Sequence, residues 1–160
     1  MTLASALAGG FVGTLVLTTM LRFATELRLT RMDLPFLLGT AVTTDRRRAK
    51  AVGYFAHFGF GFLFAVGYYA IFRSIDHASW LLGALLGLVH GVFASTALVN
   101  ILLPNVHPNM GTTSTAAGST PLLEPPGFLL RNYGRATPVA TILAHIAYGA
   151  IVGGFVAIAQ

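Results

Sequence analysis

Four stretches without a single Asp, Glu, Lys or Arg dominate this chain: Met1–Leu21, Ala51–Phe72, Trp80–Leu103 and Ala136–Gln160. A helix needs about 20 apolar residues to cross the hydrocarbon core of a bilayer, and each stretch has that length. A soluble domain of 160 residues, 55% hydrophobic and only 9% charged, keeps too much area in water to hide so much apolar surface. The expected fold is therefore all-α, an integral membrane four-helix bundle forming one domain. Its spans fall at about 3–21, 51–72, 80–103 and 138–159, with long loops at 22–50 and 104–137. The first stretch lacks a basic segment ahead of it, and Arg22 follows it, so it reads as a retained span and not a cleaved signal.

Charge sets the expected direction. The long loops carry Arg22, Arg28, Arg31, Arg46, Arg47, Arg48, Lys50, Arg131 and Arg135, against Arg73 alone in the short turn between spans two and three. Positive residues stay on the cytoplasmic side, which leaves both termini extracytoplasmic. Trp80, Tyr68, Tyr69 and Phe72 are then expected in the outer aromatic belt. The run Arg46, Arg47, Arg48 and Lys50 suits anionic lipid headgroups and serves equally as a topology signal. Nucleic acid is not expected as a partner, although the pI is about 10.3. The basic residues flank apolar spans and are not interleaved with aromatics. Thr44-Asp45 and Thr137-Pro138 have the residue types that open helices.

Shifting the chain by 88 residues places Arg47 on Arg135, His57 on His145 and Gly61 on Gly149. The bundle is accordingly expected as two tandem helical hairpins related by an axis along the membrane normal. Small residues recur at helical spacing: Gly9 and Gly13 in span one, Gly61 in span two, Gly83, Gly87 and Gly91 in span three, Gly149 and Gly153 in span four. Such positions let helices approach closely. Gly111–Thr120 is a low-complexity insert in the second loop.

Chemistry concentrates on histidine. His57 shares a helix face with Gly53, Gly61 and Ala65, and His145 with Thr141, Gly149 and Gly153, so both are expected to point into the bundle at matching depth. His90, following Gly83 and Gly87, is expected to join them. Two facing imidazoles can hold a haem b iron, with the glycines one turn away leaving room for the porphyrin; a third histidine can complete a divalent metal site. Interhelical hydrogen bonding to a backbone carbonyl or to Thr14, Thr18, Ser95 or Thr96 explains the same residues without a cofactor. His107 and Met110, three apart, are weak copper candidates and read more simply as a packed turn. Asp33 and Glu124 precede similar Pro-Phe-Leu-Leu-type segments; they suit acid/base work or, more plainly, salt bridges to Arg47 or Arg135 or a helix cap. No acid lies within a span, no phosphate-cradling loop or nucleophile elbow occurs, and the absence of cysteine excludes disulfides and thiolate sites.

Met32-Asp33-Leu34-Pro35, Gly39-Thr40, Asp45-Arg46, Gly87-Leu88-Val89-His90-Gly91, His107-Pro108-Asn109-Met110, the tract Glu124-Pro125-Pro126-Gly127 to Tyr133-Gly134-Arg135, and Ala144-His145 with Tyr148-Gly149 resemble a family of small bacterial four-helix membrane proteins. The resemblance covers nearly the whole chain and implies the topology and a bacterial inner membrane, but no activity. With no catalytic motif, the sequence favours an accessory or structural subunit of a larger membrane complex or homo-oligomer over an enzyme. A histidine-ligated haem or metal protein of electron transfer is the alternative, and a small transporter or channel subunit is third.

Overall fold

The computed structural model describes residues 1–108, 110 and 123–160. All its regular elements are helical: α1 Leu3–Glu26, α2 Leu34–Gly39, α3 Arg46–Ser74, α4 Trp80–Phe93, a π-helical stretch Ala94–Leu102 that continues α4, α5 Leu103–Val106, a 3₁₀ segment Phe128–Tyr133, and α6 Thr137–Ile158. Among the described residues, four helices are long and apolar enough to cross a membrane. The low-complexity insert at 111–120 lies outside the described residues.

Helix starts follow local chemistry. Asp45 caps α3, its Oδ1 accepting from the amides of Arg47 and Arg48 at 2.9 and 3.1 Å, so the helix begins inside the basic run. Ser79 caps α4. Thr137, by contrast, is not a cap. It is the first residue of α6, and its buried hydroxyl donates to Thr30 Oγ1 at 2.8 Å, tying the helix to the first loop. The short helix α2 has no counterpart in the sequence reading; Asp33 caps it through the Phe36 amide.

Side-chain hydrogen bonds mark both ends of the π-helical stretch. Ser95 and Thr96 direct their hydroxyls at the Gly91 and Val92 carbonyls, both at 2.7 Å, at the point where the α pattern ends. Pro104 then withholds an amide, and Asn105 Nδ2 donates to the Ile101 carbonyl at 2.7 Å.

α6 is the hub of the bundle. It packs on α4 along one side and on α1 along the other; α1 in turn carries α3, and α2 lies on α3. The glycine positions show how. A Cβ on Gly149 would sit 2.9 Å from Gly87 Cα, one on Gly153 3.0 Å from Gly83 Cα, and one on Gly91 3.1 Å from Ile142 Cα. On the other side, Cβ atoms on Gly9 and Gly13 would meet Phe155 and Tyr148 of α6 at 2.9 Å. Gly61 faces Thr14 of α1. These glycines serve contacts within the chain, so they do not present a free face to a partner.

The aromatic expectation needs correction. Trp80 is exposed, but Tyr68 and Phe72 are buried. They continue the inner face of α3 that runs through Gly53, His57, Gly61 and Ala65, and their spacing keeps them there.

The two long loops close one end of the bundle together. The Arg31 amide donates to the Tyr133 carbonyl at 2.7 Å, Arg31 pairs with Glu124 at 3.4 Å, and His107 Nε2 lies 3.0 Å from the Leu37 carbonyl. Leu129 and Leu130 adopt the left-handed conformation, at φ 55° and 61°. That conformation costs a branched side chain about 1–2 kcal/mol, and it delivers Leu130, fully buried, into the floor of the bundle.

Candidate functional site

Above that floor lies a cavity of about 180 Å³. Its wall draws on every major element: Thr14 and Leu17 from α1, Phe60 and Phe64 from α3, Ala94 and Leu98 around the π stretch, with Leu34 and Leu130 from the loops below. Apolar side chains form nearly all of it. The polar exceptions come mainly from the inward faces of α3, α4 and α6, namely His57, His90, Thr141, His145 and Tyr148, with Thr14 from α1. The cavity exists because α6 draws α4 and α1 to itself through glycine while α3 is held on α1, leaving α3 and α4 to meet through side chains.

The structure brings all three intrahelical histidines to this cavity, but in unequal roles. His145 is buried, and its Nδ1–H donates to the Thr141 carbonyl at 2.8 Å. A carbonyl only accepts, so the ring is fixed with its lone pair on Nε2. His90 belongs to an aromatic cluster at the opposite end from the loops. Its ring lies 3.9 Å from that of Phe64 and 4.7 Å, edge-on, from that of His145, and its Nδ1 is 3.4 Å from the Tyr68 hydroxyl. Tyr148 closes the cluster, its ring 5.7 Å from Tyr68 and its hydroxyl donating to the Gly61 carbonyl of α3. His57 differs from both: among the described residues its buried Nε2 has no hydrogen-bond partner. Thr141 Oγ1, across the bundle on α6, is in the same condition. Leaving such a group unmet costs about 1–3 kcal/mol.

This arrangement bears on the cofactor expectations. Gly61 and Gly149 are filled by Thr14 and by Gly83 and Gly87, so the clearance a porphyrin needs beside His57 and His145 is occupied by neighbouring helices. His90 and His145 touch edge-on, leaving no gap for a macrocycle between them. Among the described residues, no three of His, Asp or Glu gather as metal ligands.

His107 and Met110 are both buried under the bundle, in the turn that joins the loops, with Met110 bridged to Leu123. The carboxylates take cations other than those expected. Asp33 pairs with Lys50 at 2.9 Å as the first loop returns on itself, and Glu124 pairs with Arg31 at 3.4 Å where the second loop packs against the first. Tyr133 is held beside Glu124, its hydroxyl donating to that residue's carbonyl; burial, reinforced by the Glu124 charge and opposed by Arg31, pushes its pKa up to about 12. Arg46, Arg47, Arg48 and Lys50 are exposed at the start of α3, with Arg46 over the Phe36 ring and Arg48 3.8 Å from Asp45.

The chain matches no protein-family model, no curated protein and no solved structure. Its geometry must carry the functional argument. Two features of that geometry escape a reading by sequence. Tyr148 is legible only as a neighbour of His145 on one face, and Thr141 only as another small polar residue, until α3 supplies the opposite wall.

Proposed function

We propose that this chain is a multi-pass protein of the bacterial inner membrane whose bundle holds one small, mainly apolar molecule in the histidine-lined cavity. The observation that carries the reading is the pairing of an apolar cavity with two buried, unpartnered polar groups, His57 Nε2 and Thr141 Oγ1. Ligand sites in proteins have this character: apolar walls and a few convergent polar atoms that fix orientation. Bulky apolar side chains such as Phe55, Leu63, Leu81 and Ile158 are 63–89% exposed, as suits contact with lipid tails. The tandem-hairpin arrangement finds support in packing. The glycine one turn after each aligned histidine meets the first long helix of its own half, Gly61 on α1 and Gly149 on α4.

Native mass spectrometry of the protein released from lipid nanodiscs tests the binding reading. Wild-type protein and the outward-facing variant Leu85→Trp are expected to retain a bound small molecule, and Leu98→Trp, which fills the cavity, to lose it. Equal occupancy in all three, or none in any, overturns the reading. Orientation is read independently, because the chain has no native cysteine. Single cysteines at His77 and Gln160 are expected to react with an impermeant maleimide on intact cells, and one at Thr43 only after permeabilisation. The reverse pattern refutes the assigned direction.

A second reading, an accessory subunit or homo-oligomer, draws on the outer face of α3. A Cβ on Gly59 or Gly67 would meet nothing within 4 Å there, beside exposed Phe55 and Leu63. Crosslinking from a cysteine at Gly59 is expected to capture a neighbouring subunit if that face is an interface, and only lipid if it is not.

A further inference from the structure

A second, polar cavity of about 110 Å³ adjoins the first. The two share Leu21, Met32, Leu34 and His57 in their walls, and His57 is the one polar residue common to both. The second cavity is lined by Thr18, Thr25 and Tyr54, with Arg22, Glu26, Asp33 and Lys50 towards the loops. Its charges are balanced within it. Lys50 is 2.9 Å from Asp33 and Arg22 is 3.9 Å from Glu26, two cations against two anions. An ionic group entering there meets one like charge for each opposite one, and so finds no net counter-charge.

From this juxtaposition we infer that the two cavities form one amphipathic site, which takes a single-chain molecule with an uncharged, oxygen-bearing head such as a hydroxyl or carbonyl. The head lies at His57, between the hydroxyls of the polar cavity and Thr141. The chain lies in the apolar cavity against Ala94 and Leu98 of the α4–π junction. A hydroxyl or carbonyl oxygen supplies the missing hydrogen-bond partner without bringing a charge. An alkane leaves His57 and Thr141 unmet; an ionic head has no uncompensated counter-charge to find.

This inference rests on the binding reading above, and one set of measurements separates the two. Equilibrium dialysis against protein in lipid nanodiscs, corrected with empty nanodiscs, compares dodecane, 1-dodecanol, dodecyl sulfate and dodecyltrimethylammonium below their micellar concentrations. Dodecanol is expected to bind at one per chain and about tenfold more tightly than dodecane, the effect of one buried hydrogen bond. Both ionic compounds are expected to bind no more tightly than dodecanol. His57→Phe and Thr141→Val are each expected to reduce the ratio of dodecanol to dodecane affinity severalfold. Because Thr141→Val is nearly isosteric, it keeps the test valid if the histidine variant fails to fold. Saturable but equal binding of dodecane and dodecanol leaves the cavity reading intact and overturns this inference, as does tighter binding of either ionic compound. No saturable binding of any of the four overturns both.

Discussion

The contact between α4 and α6 offers the sharpest quantitative test of the fold. Replacing Gly149 by Ala puts a Cβ 2.9 Å from both the Gly87 Cα and its amide nitrogen, and closer still to the Gly83 carbonyl oxygen. Carbon atoms rest at about 3.5–4.0 Å, and the closer Gly83 oxygen demands the larger shift, so the helices must part by at least about 1 Å. A gap of that size forfeits about half of each affected dispersion contact. The atoms in the way are backbone, so no side chain can swing aside. Overpacking of this kind costs about 1–3 kcal/mol. The control is Gly59→Ala, where the added Cβ meets nothing within 4 Å. There the gain in helix propensity is expected to stabilise by about 0.5–1 kcal/mol. The assay is reversible unfolding of the reconstituted protein by denaturing detergent, followed by circular dichroism. Opposite signs for the two variants are expected. Gly83→Ala should resemble Gly149→Ala, and the double variant should cost less than the sum, because one separation relieves both clashes. Equal effects at positions 59 and 149, or strict additivity at 83 and 149, would refute the close approach of α4 and α6.

Other outcomes follow from the same geometry. Tyr148→Phe removes the hydroxyl that donates to the Gly61 carbonyl; a loss of about 0.6–2 kcal/mol is expected in the same unfolding assay, with the fold retained by circular dichroism. Asp33→Ala removes both the cap of α2 and the Lys50 pair. It should cost about 1 kcal/mol, whereas Lys50→Ala, which breaks only an exposed ion pair, should cost no more than about half of that. Tyr133 titrates at about 12 in the folded protein, above its ordinary value of about 10. The folded state therefore holds its proton more firmly than the unfolded state, and stability present below pH 10 falls as pH rises from about 10 to 12. Unfolding measured across that window should show this fall, and Tyr133→Phe should lack it. Phenolate absorbance should place one tyrosine near 12 in the wild type that disappears in the variant.

What the sequence determined by itself is whatever depends on neighbours along the chain. Charge-free length produced the four long apolar helices, and the Asp45 side chain fixed the start of α3 within the basic run. Spacing by four placed His57, Gly61 and Ala65 on one buried face of α3, and Thr141, His145, Gly149 and Gly153 on another in α6. Residue type and periodicity suffice for such features because a helix satisfies its own backbone. Tertiary structure decided which faces meet. Glycine on both sides brings α4 against α6, yet the same spacing could as well have met another chain. Tyr68 and Phe72 look like belt residues until the face they extend is seen to turn inward. Asp33 found Lys50 and Glu124 found Arg31 only because the first loop returns on itself and the second packs against it over the bundle end. The cavity itself belongs to no segment. It is the space left where α3 and α4 are each held by other helices, and an absence of packing between distant segments leaves no mark in a sequence of apolar residues.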